Sequence, residues 1–298
     1  MRIGWLRFLN QGRYKVIMTD GELKKVQGQL LIIAKEIKRV CEKHDINYFL
    51  LGGTLIGAVR HKGFLPWDDD LDIGMLREEY DKFVEIAPSE LGADFCLQTM
   101  DNDPEYGLAF AKVRMNGTVY REMTDPRKKA HQGFWVDVFP YDNIPDDNAE
   151  LAQMADRIMD YRTLLLMKAG STPWKVIPVF YKRWKSHMRY QKFINRAAKI
   201  PREQLVSDYN KEMKRYNDSV TARICQQSGG ARFGKYPIDR SFLTEFTKLP
   251  FEDDEFQCPK RYDEFLRAIY GDYMQLPPED QRHCTHGIIE LKFREDTK

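Results

Sequence analysis

Residues 51–72 read Leu51-Gly52-Gly53-Thr54-Leu55-Ile56-Gly57-Ala58-Val59-Arg60-His61-Lys62-Gly63-Phe64-Leu65-Pro66-Trp67-Asp68-Asp69-Asp70-Leu71-Asp72. The apolar run just before, Asn47-Tyr48-Phe49-Leu50-Leu51, has the length of a short buried strand and ends on a glycine pair. The next residues, 54–60, have the pattern of a helix that Thr54 is expected to cap and Gly63 to close. Beyond them Leu71, Ile73 and Met75 alternate with Asp70, Asp72 and Gly74. That period of two predicts a strand with Asp70 and Asp72 on one face. Strand, glycine turn, helix and acidic strand follow within one short segment.

Upstream, apolar residues at Leu23, Val26, Leu30, Ile33, Ile37 and Val40 predict an amphipathic helix over 21–44. Downstream, 77–87 reads as helix. Segments 109–115 and 118–123 flank Asn116-Gly117, a dipeptide that favours a tight β-hairpin. In 134–139, Trp135, Asp137 and Phe139 fall on one side of a further strand. After the turn at Asp142-Asn143-Ile144-Pro145-Asp146-Asp147 the chain turns mainly helical. The expected class is α/β (α+β), a mixed sheet flanked by helices with a basic helical insertion.

The 298 residues are 42% apolar and 31% charged, with 17 Phe, 15 Tyr and 5 Trp, a composition that excludes disorder for most of the chain. No run approaches a membrane span, since Leu30 to Ala34 stops at Lys35-Glu36, and the first residues carry no signal-peptide pattern. The expected location is the cytoplasm. Five scattered cysteines without a C-x-x-C pair fit reduced thiols, and Cys284 between His283 and His286 lacks the second ligand pair that a zinc site needs.

The net charge of +2 hides an asymmetry. Residues 161–202 hold eleven Lys and Arg and no acid, leaving 36 of the 47 basic residues to face all 45 acidic ones elsewhere. Trp174, Phe180, Tyr181, Trp184, Tyr190 and Phe193 are interleaved with these cations. That mixture suits an anionic membrane surface, although a solvated helix pair would produce it too. No nucleic-acid-binding motif accompanies it, so no nucleic acid is expected.

Two aspartates two apart on a strand present carboxylates side by side to a hard divalent cation, and Asp137 on another strand is a third. Gly52, Gly53 and Thr54 open a helix whose N–H groups would hold phosphate. Arg60, His61 and Lys62 would add fixed cations to a diphosphate, or would simply suit the end of a helix. Asp68 and Asp69 shape the turn or orient the ligands. The layout is that expected for metal-assisted phosphoryl or nucleotidyl transfer.

The 51–72 segment resembles the signature of the LicD family, shared with the fukutin-related proteins. The resemblance continues in Lys112-Val113-Arg114, in Phe134-Trp135-Val136-Asp137-Val138-Phe139-Pro140, and in Tyr270-Gly271-Asp272-Tyr273-Met274-Gln275-Leu276-Pro277-Pro278 with Arg282, His283 and His286 behind it. It implies a nucleotidyltransferase-like core over 21–145, after an extension over 1–20. A helical basic region over 146–260 and a C-terminal segment over 261–298 that returns to the active site complete the expected division. Asp70, Asp72 and Asp137 would hold Mg²⁺ or Mn²⁺, and Arg114, His283 and His286 would contact the donor.

The implied reaction moves phosphocholine from CDP-choline to a hydroxyl of a cell-surface glycan or its lipid-linked precursor, releasing CMP. Ribitol or glycerol phosphate are alternative cargoes. Trp67, in the loop leading to the acids, is the candidate contact for a choline headgroup, whereas Trp135 is expected to pack in the core. The enzyme would sit at the inner face of the cell membrane. Two rivals remain: a nucleotidyltransferase using an NTP, and a membrane-peripheral scaffold with an inactive site.

Overall fold

The computed structural model describes residues 18–122, 130–170, 191–227, 231–284 and 286–294. Helix α1 (Asp20–Lys43) starts at Thr19, whose side chain accepts from the Glu22 amide while the Glu22 carboxylate accepts from the Thr19 amide. Its apolar stripe, including Val26, Leu30, Ile33, Ile37 and Val40, is buried, as the spacing predicts. Burying each such side chain contributes about 1.5–3 kcal/mol.

Strands β1 (Phe49–Leu50), β2 (Asp72–Leu76), β3 (Phe95–Gln98), β4 (Ala111–Met115) and β6 (Trp135–Asn143) lie in the order β1-β2-β6-β4-β3. Only β2 and β6 run parallel, and the other neighbours are antiparallel, which makes the sheet mixed. Strand β4 borders residues 135–138 of β6, and β7 (Arg223–Gln226) borders residues 141–143. Because β2 occupies the opposite edge, β4 and β7 share one side of the central strand end to end. Strand β8 (Ile238–Asp239) extends this branch.

Helix α2 (Gly52–His61) fills the connection between β1 and β2, and α3 (Arg77–Glu90) follows β2 directly. A hairpin of β9 (Phe246–Phe251) and β10 (Asp254–Pro259) turns at Glu252, with φ of 56°, and packs against β1 and α2. The main core gathers α1, the central sheet and this hairpin. A second apolar cluster joins α4 (Asn148–Lys168), residues 193 and 197 of the helical stretch 191–199, and α5 (Arg202–Met213). Helix α6 (Tyr262–Tyr270) precedes the C-terminal strand β11 (Ile288–Lys292). Among the described residues no helix is long and apolar enough to cross a membrane.

Three local expectations are corrected. Strand β4 does not form a hairpin with β5 (Val119–Glu122); β5 pairs instead with β11 in a separate two-stranded sheet. The Asn116-Gly117 turn is present, with Gly117 at φ of 74°, but Met115 donates to Phe134 O and Tyr120 to Gln132 O. The 130–134 segment therefore takes the bonds that a hairpin would use. Helix α2 begins at Gly52, two residues before the expected cap, and its closing left-handed residue is Lys62 rather than Gly63. Asp70 precedes β2 rather than lying within it. All five cysteines are free thiols. The middle of the basic segment, 171–190, lies outside the described residues.

Candidate active site

The glycine turn and the acidic strand meet because β1 and β2 are antiparallel neighbours. Leu51 N donates to Asp72 O at 3.0 Å, and Asp72 N donates to Thr54 Oγ1 at 3.0 Å. Thr54 thus ties α2 to the acidic strand instead of capping its own helix. Gly52 holds φ of +59°, and a Cβ there would lie 3.4 Å from Asp72 Oδ2 and 3.6 Å from the Tyr270 hydroxyl. At Gly53 a Cβ would come within 2.7 Å of Asp68 Oδ2. The two glycines let a pair of carboxylates close on the N-terminus of α2, where helix N–H groups lack intrahelical acceptors.

Across the sheet, Asp72 is the register partner of Asp137, and Asp137 is the register partner of Lys112. Acid, acid and lysine lie in one row over three strands. The buried Lys112 amine forms a short ion pair with Asp137 and stands 4.3 Å from the Trp135 ring centroid. Burial pulls the lysine pKa down while Asp137 opposes that pull.

Among the described residues no cation stands as close to Asp70 or Asp72. Burial first, then the charges of Asp70 and Asp137, push the Asp72 carboxyl well above the usual carboxylate range. Burial also raises Asp70, with His286 working against the rise. Desolvation first, then the charge of Asp70 and a hydrogen bond to it, push the half-buried Asp68 up to about 9. Three neighbouring carboxyls that resist ionisation mark an excess of negative charge which the protein does not balance internally.

Asp69 has a different role. It is 3% exposed and accepts from the Tyr120 hydroxyl at 2.6 Å, and its other oxygen faces His286 Nδ1 at 3.0 Å. Burial disfavours the charged imidazole, but Asp69, Asp70 and Glu122 outweigh it and hold the His286 pKa at about 9. The β5–β11 pairing brings this C-terminal histidine to the acids, with Nε2 4.0 Å from Asp70.

The remaining expected residues separate into two sets. Trp67, His283 and His286 line one pocket of about 470 Å³ together with Arg282, whose guanidinium lies 5.9 Å from the Trp67 ring centroid. The His61 ring meets Trp67 edge-on at 6.4 Å. Arg60 turns to the C-terminal segment, donating to the carbonyls of Tyr273 at 2.8 Å and Gln275 at 3.3 Å. Lys62 is exposed, and its carbonyl accepts from the Glu252 amide. Arg114 is buried and donates to Gln98 Oε1 and Gly133 O, away from the acids. Trp135 packs in the core, as expected.

Sequence reasoning missed Gln27, which donates to the carbonyls of Leu65 and Asp68 and so holds the acidic loop on α1, and it left Lys112 and Tyr270, within the quoted motifs, without a role. Gln27 sits inside an apolar helical stripe, and a buried polar residue there is the one signal that could have found it.

Among the described residues, no three Asp, Glu, His or Cys side chains are already gathered for metal coordination. The donor set is still the all-oxygen type that suits a hard divalent cation. A bound cation would relieve the repulsion that lifts Asp70 and Asp72, so these residues fit such an ion by charge and chemistry.

A family model described as LicD/FKTN/FKRP, nucleotidyltransferase domain, matches residues 45–203, more than half of the chain. The chain is 28% identical over 273 residues to the lipopolysaccharide cholinephosphotransferase LicD of Haemophilus influenzae, covering 89% of this chain and 96% of that protein. It is 35% identical over 102 residues to the human ribitol 5-phosphate transferase FKRP, covering 34% of this chain and 19% of that protein. An uncharacterised Rickettsia typhi protein, RT0683, is 36% identical over 85 residues, which are 26% of this chain and 27% of that protein.

Proposed function

Because the chain belongs to the LicD/FKTN/FKRP nucleotidyltransferase-domain family, we propose that it transfers phosphocholine from CDP-choline to a glycan hydroxyl and releases CMP. The observation that carries this reading is the unbalanced carboxyl group set at the N-terminus of α2, in a chain similar over nearly its whole length to a cholinephosphotransferase.

Asp70 and Asp72 would hold Mg²⁺ or Mn²⁺, with Asp137 beside them on the central strand. The ion, when bound, supplies neutralisation of the donor diphosphate and of the charge that develops on the leaving CMP. The N–H groups of Gly53 and Thr54 orient phosphate oxygens. The acceptor oxygen forms a bond to the phosphorus bearing choline as the bond from that phosphorus to the CMP oxygen breaks. The hydroxyl proton passes to Asp137 or Asp72. Lys112 fixes Asp137 in place through their ion pair. His286, held protonated by Asp69, donates to a phosphate oxygen.

The Trp67 pocket receives the alcohol, since an aromatic face suits a quaternary ammonium. The acceptor is a lipid-linked cell-envelope glycan at the cytoplasmic face of the membrane, with the basic 161–202 segment as the membrane contact. Neutralising Lys182, Arg183 and Lys185 should then weaken binding to anionic vesicles.

Incubating the purified protein with CDP-choline, CDP-ribitol or CDP-glycerol plus a glycan acceptor, and measuring CMP release, tests the assignment. Release from CDP-choline that needs a divalent cation and disappears in Asp72→Asn is expected. Release from CDP-ribitol alone would reassign the donor, and turnover of an NTP instead would replace the reaction.

A further inference from the structure

Resting on the reading of a CDP-linked donor, we propose that a second cavity, on the Gly52 side of the acids, receives the pyrimidine base and that Gln226 reads it as cytosine. This cavity of about 280 Å³ runs from Gly52 and Asp72 to the end of β7 and the end of α6. It therefore adjoins the turn expected to hold phosphate, and it shares no lining residue with the Trp67 pocket.

Tyr141, Tyr236 and Tyr270 supply its aromatic wall. Tyr141 is buried, while Tyr236 and Tyr270 each keep 48% of their surface exposed, an aromatic area that a flat ring would cover. Arg232 at the rim is engaged by Asp156 at 2.8 Å and by the Ala152 carbonyl at 3.2 Å. Its charge is thus matched, and the strongest demand for phosphate stays at the α2 turn.

Gln226 adds an uncharged amide to the cavity lining. Its Oε1 is buried and has no hydrogen-bond donor among the described residues. A buried acceptor without a donor is costly unless a ligand supplies one. The exocyclic amine of cytosine is such a donor, whereas uracil presents a carbonyl at the same place. A quaternary ammonium carries no N–H at all. Base on this side and alcohol on the other would leave the diphosphate spanning the acids.

The test is calorimetric titration of the full chain, in Mg²⁺, with CMP, UMP, phosphocholine and inorganic pyrophosphate. Gln226→Leu should weaken CMP about tenfold and leave pyrophosphate unchanged within about twofold. Gln226→Glu, which offers only acceptors, should raise the preference for CMP over UMP. Tyr236→Ala, at a half-exposed position that does not endanger folding, should weaken both nucleotides about tenfold. CMP affinity unchanged in both Gln226→Leu and Tyr236→Ala would overturn the assignment while leaving the donor reading intact. Loss of phosphocholine binding instead of CMP binding would also overturn it, by placing the alcohol in this cavity. A wild-type chain that binds no CMP would remove the donor reading and this assignment together.

Discussion

Strands β2 and β6 are parallel partners, and they treat charge in opposite ways at their two ends. At the start, Asp72 stands opposite Asp137, with Asp68 and Asp70 close by. Just beyond the last register pair, Leu76 and Tyr141, come Arg77 and Asp142. Arg77 Nε and Nη2 donate to the two Asp142 oxygens at 2.7 and 2.6 Å, and Asn217 adds a third hydrogen bond at 2.7 Å. Asp142 is fully buried, and Arg77 lies 5.0 Å from the Tyr80 ring centroid.

One end is therefore closed upon itself, every charge matched within the fold, while the other carries like charges that lift one another's pKa values. The first arrangement is structural. The second is destabilising by itself, an excess of negative charge that the proposed cation would offset.

The largest effect expected is on turnover. Asp70→Asn and Asp72→Asn should each cut activity by about a thousandfold or more with the fold intact, because the groups act on charge that develops in the transition state. Circular dichroism alongside CMP release checks both halves of that statement. At the other end the pattern should invert. Asp142→Asn or Arg77→Met should cost about 3–5 kcal/mol of stability, since each leaves a buried group without its partner. The double variant Arg77→Met/Asp142→Leu should recover most of that loss in urea unfolding, which would separate a paired charge from a needed one.

A smaller effect is expected from Gly53→Ala. Displacing Asp68 by the added methyl should lower turnover by about a hundredfold while changing stability by about 1 kcal/mol. Stability should depend on pH as well. Asp68 has a folded-state pKa of about 9, above its unfolded value, so the folded protein retains a proton that the unfolded chain releases. Stability in a chelator should therefore fall as pH rises from about 4 toward 9. Asp68→Asn should reduce that fall without abolishing it, because Asp70 and Asp72 are raised as well, read as the urea midpoint at pH 5, 7 and 9.

How much of this was legible in the sequence follows from the range of each interaction. The α1 stripe, the 51–72 segment and the alternation around Asp72 and Asp137 announce themselves by local period. The Asn116-Gly117 turn also formed as expected, yet its hairpin did not, because the 130–134 segment and β11 took the partners on either side. That competition is tertiary and leaves no local mark. Asp137 was visible as an acid on a strand, but its tie to Lys112 depends on β4 lying beside β6, a register that periodicity does not fix. Arg60 and Arg114 have the right chemistry for phosphate, and the fold engages both with main-chain carbonyls. Gln226 comes to line a cavity with Asp72 through a branch of the sheet that no local pattern predicts.

The contrast between the two ends is tested most directly by the thermal midpoint at pH 7.5 as Mg²⁺ is added to wild type, Asp70→Asn/Asp72→Asn and Arg77→Met/Asp142→Leu. From that contrast a Mg²⁺-dependent rise is expected in wild type and in the Arg77/Asp142 variant, and none in the aspartate variant. An equal rise in the aspartate variant, or no rise in wild type, would contradict it.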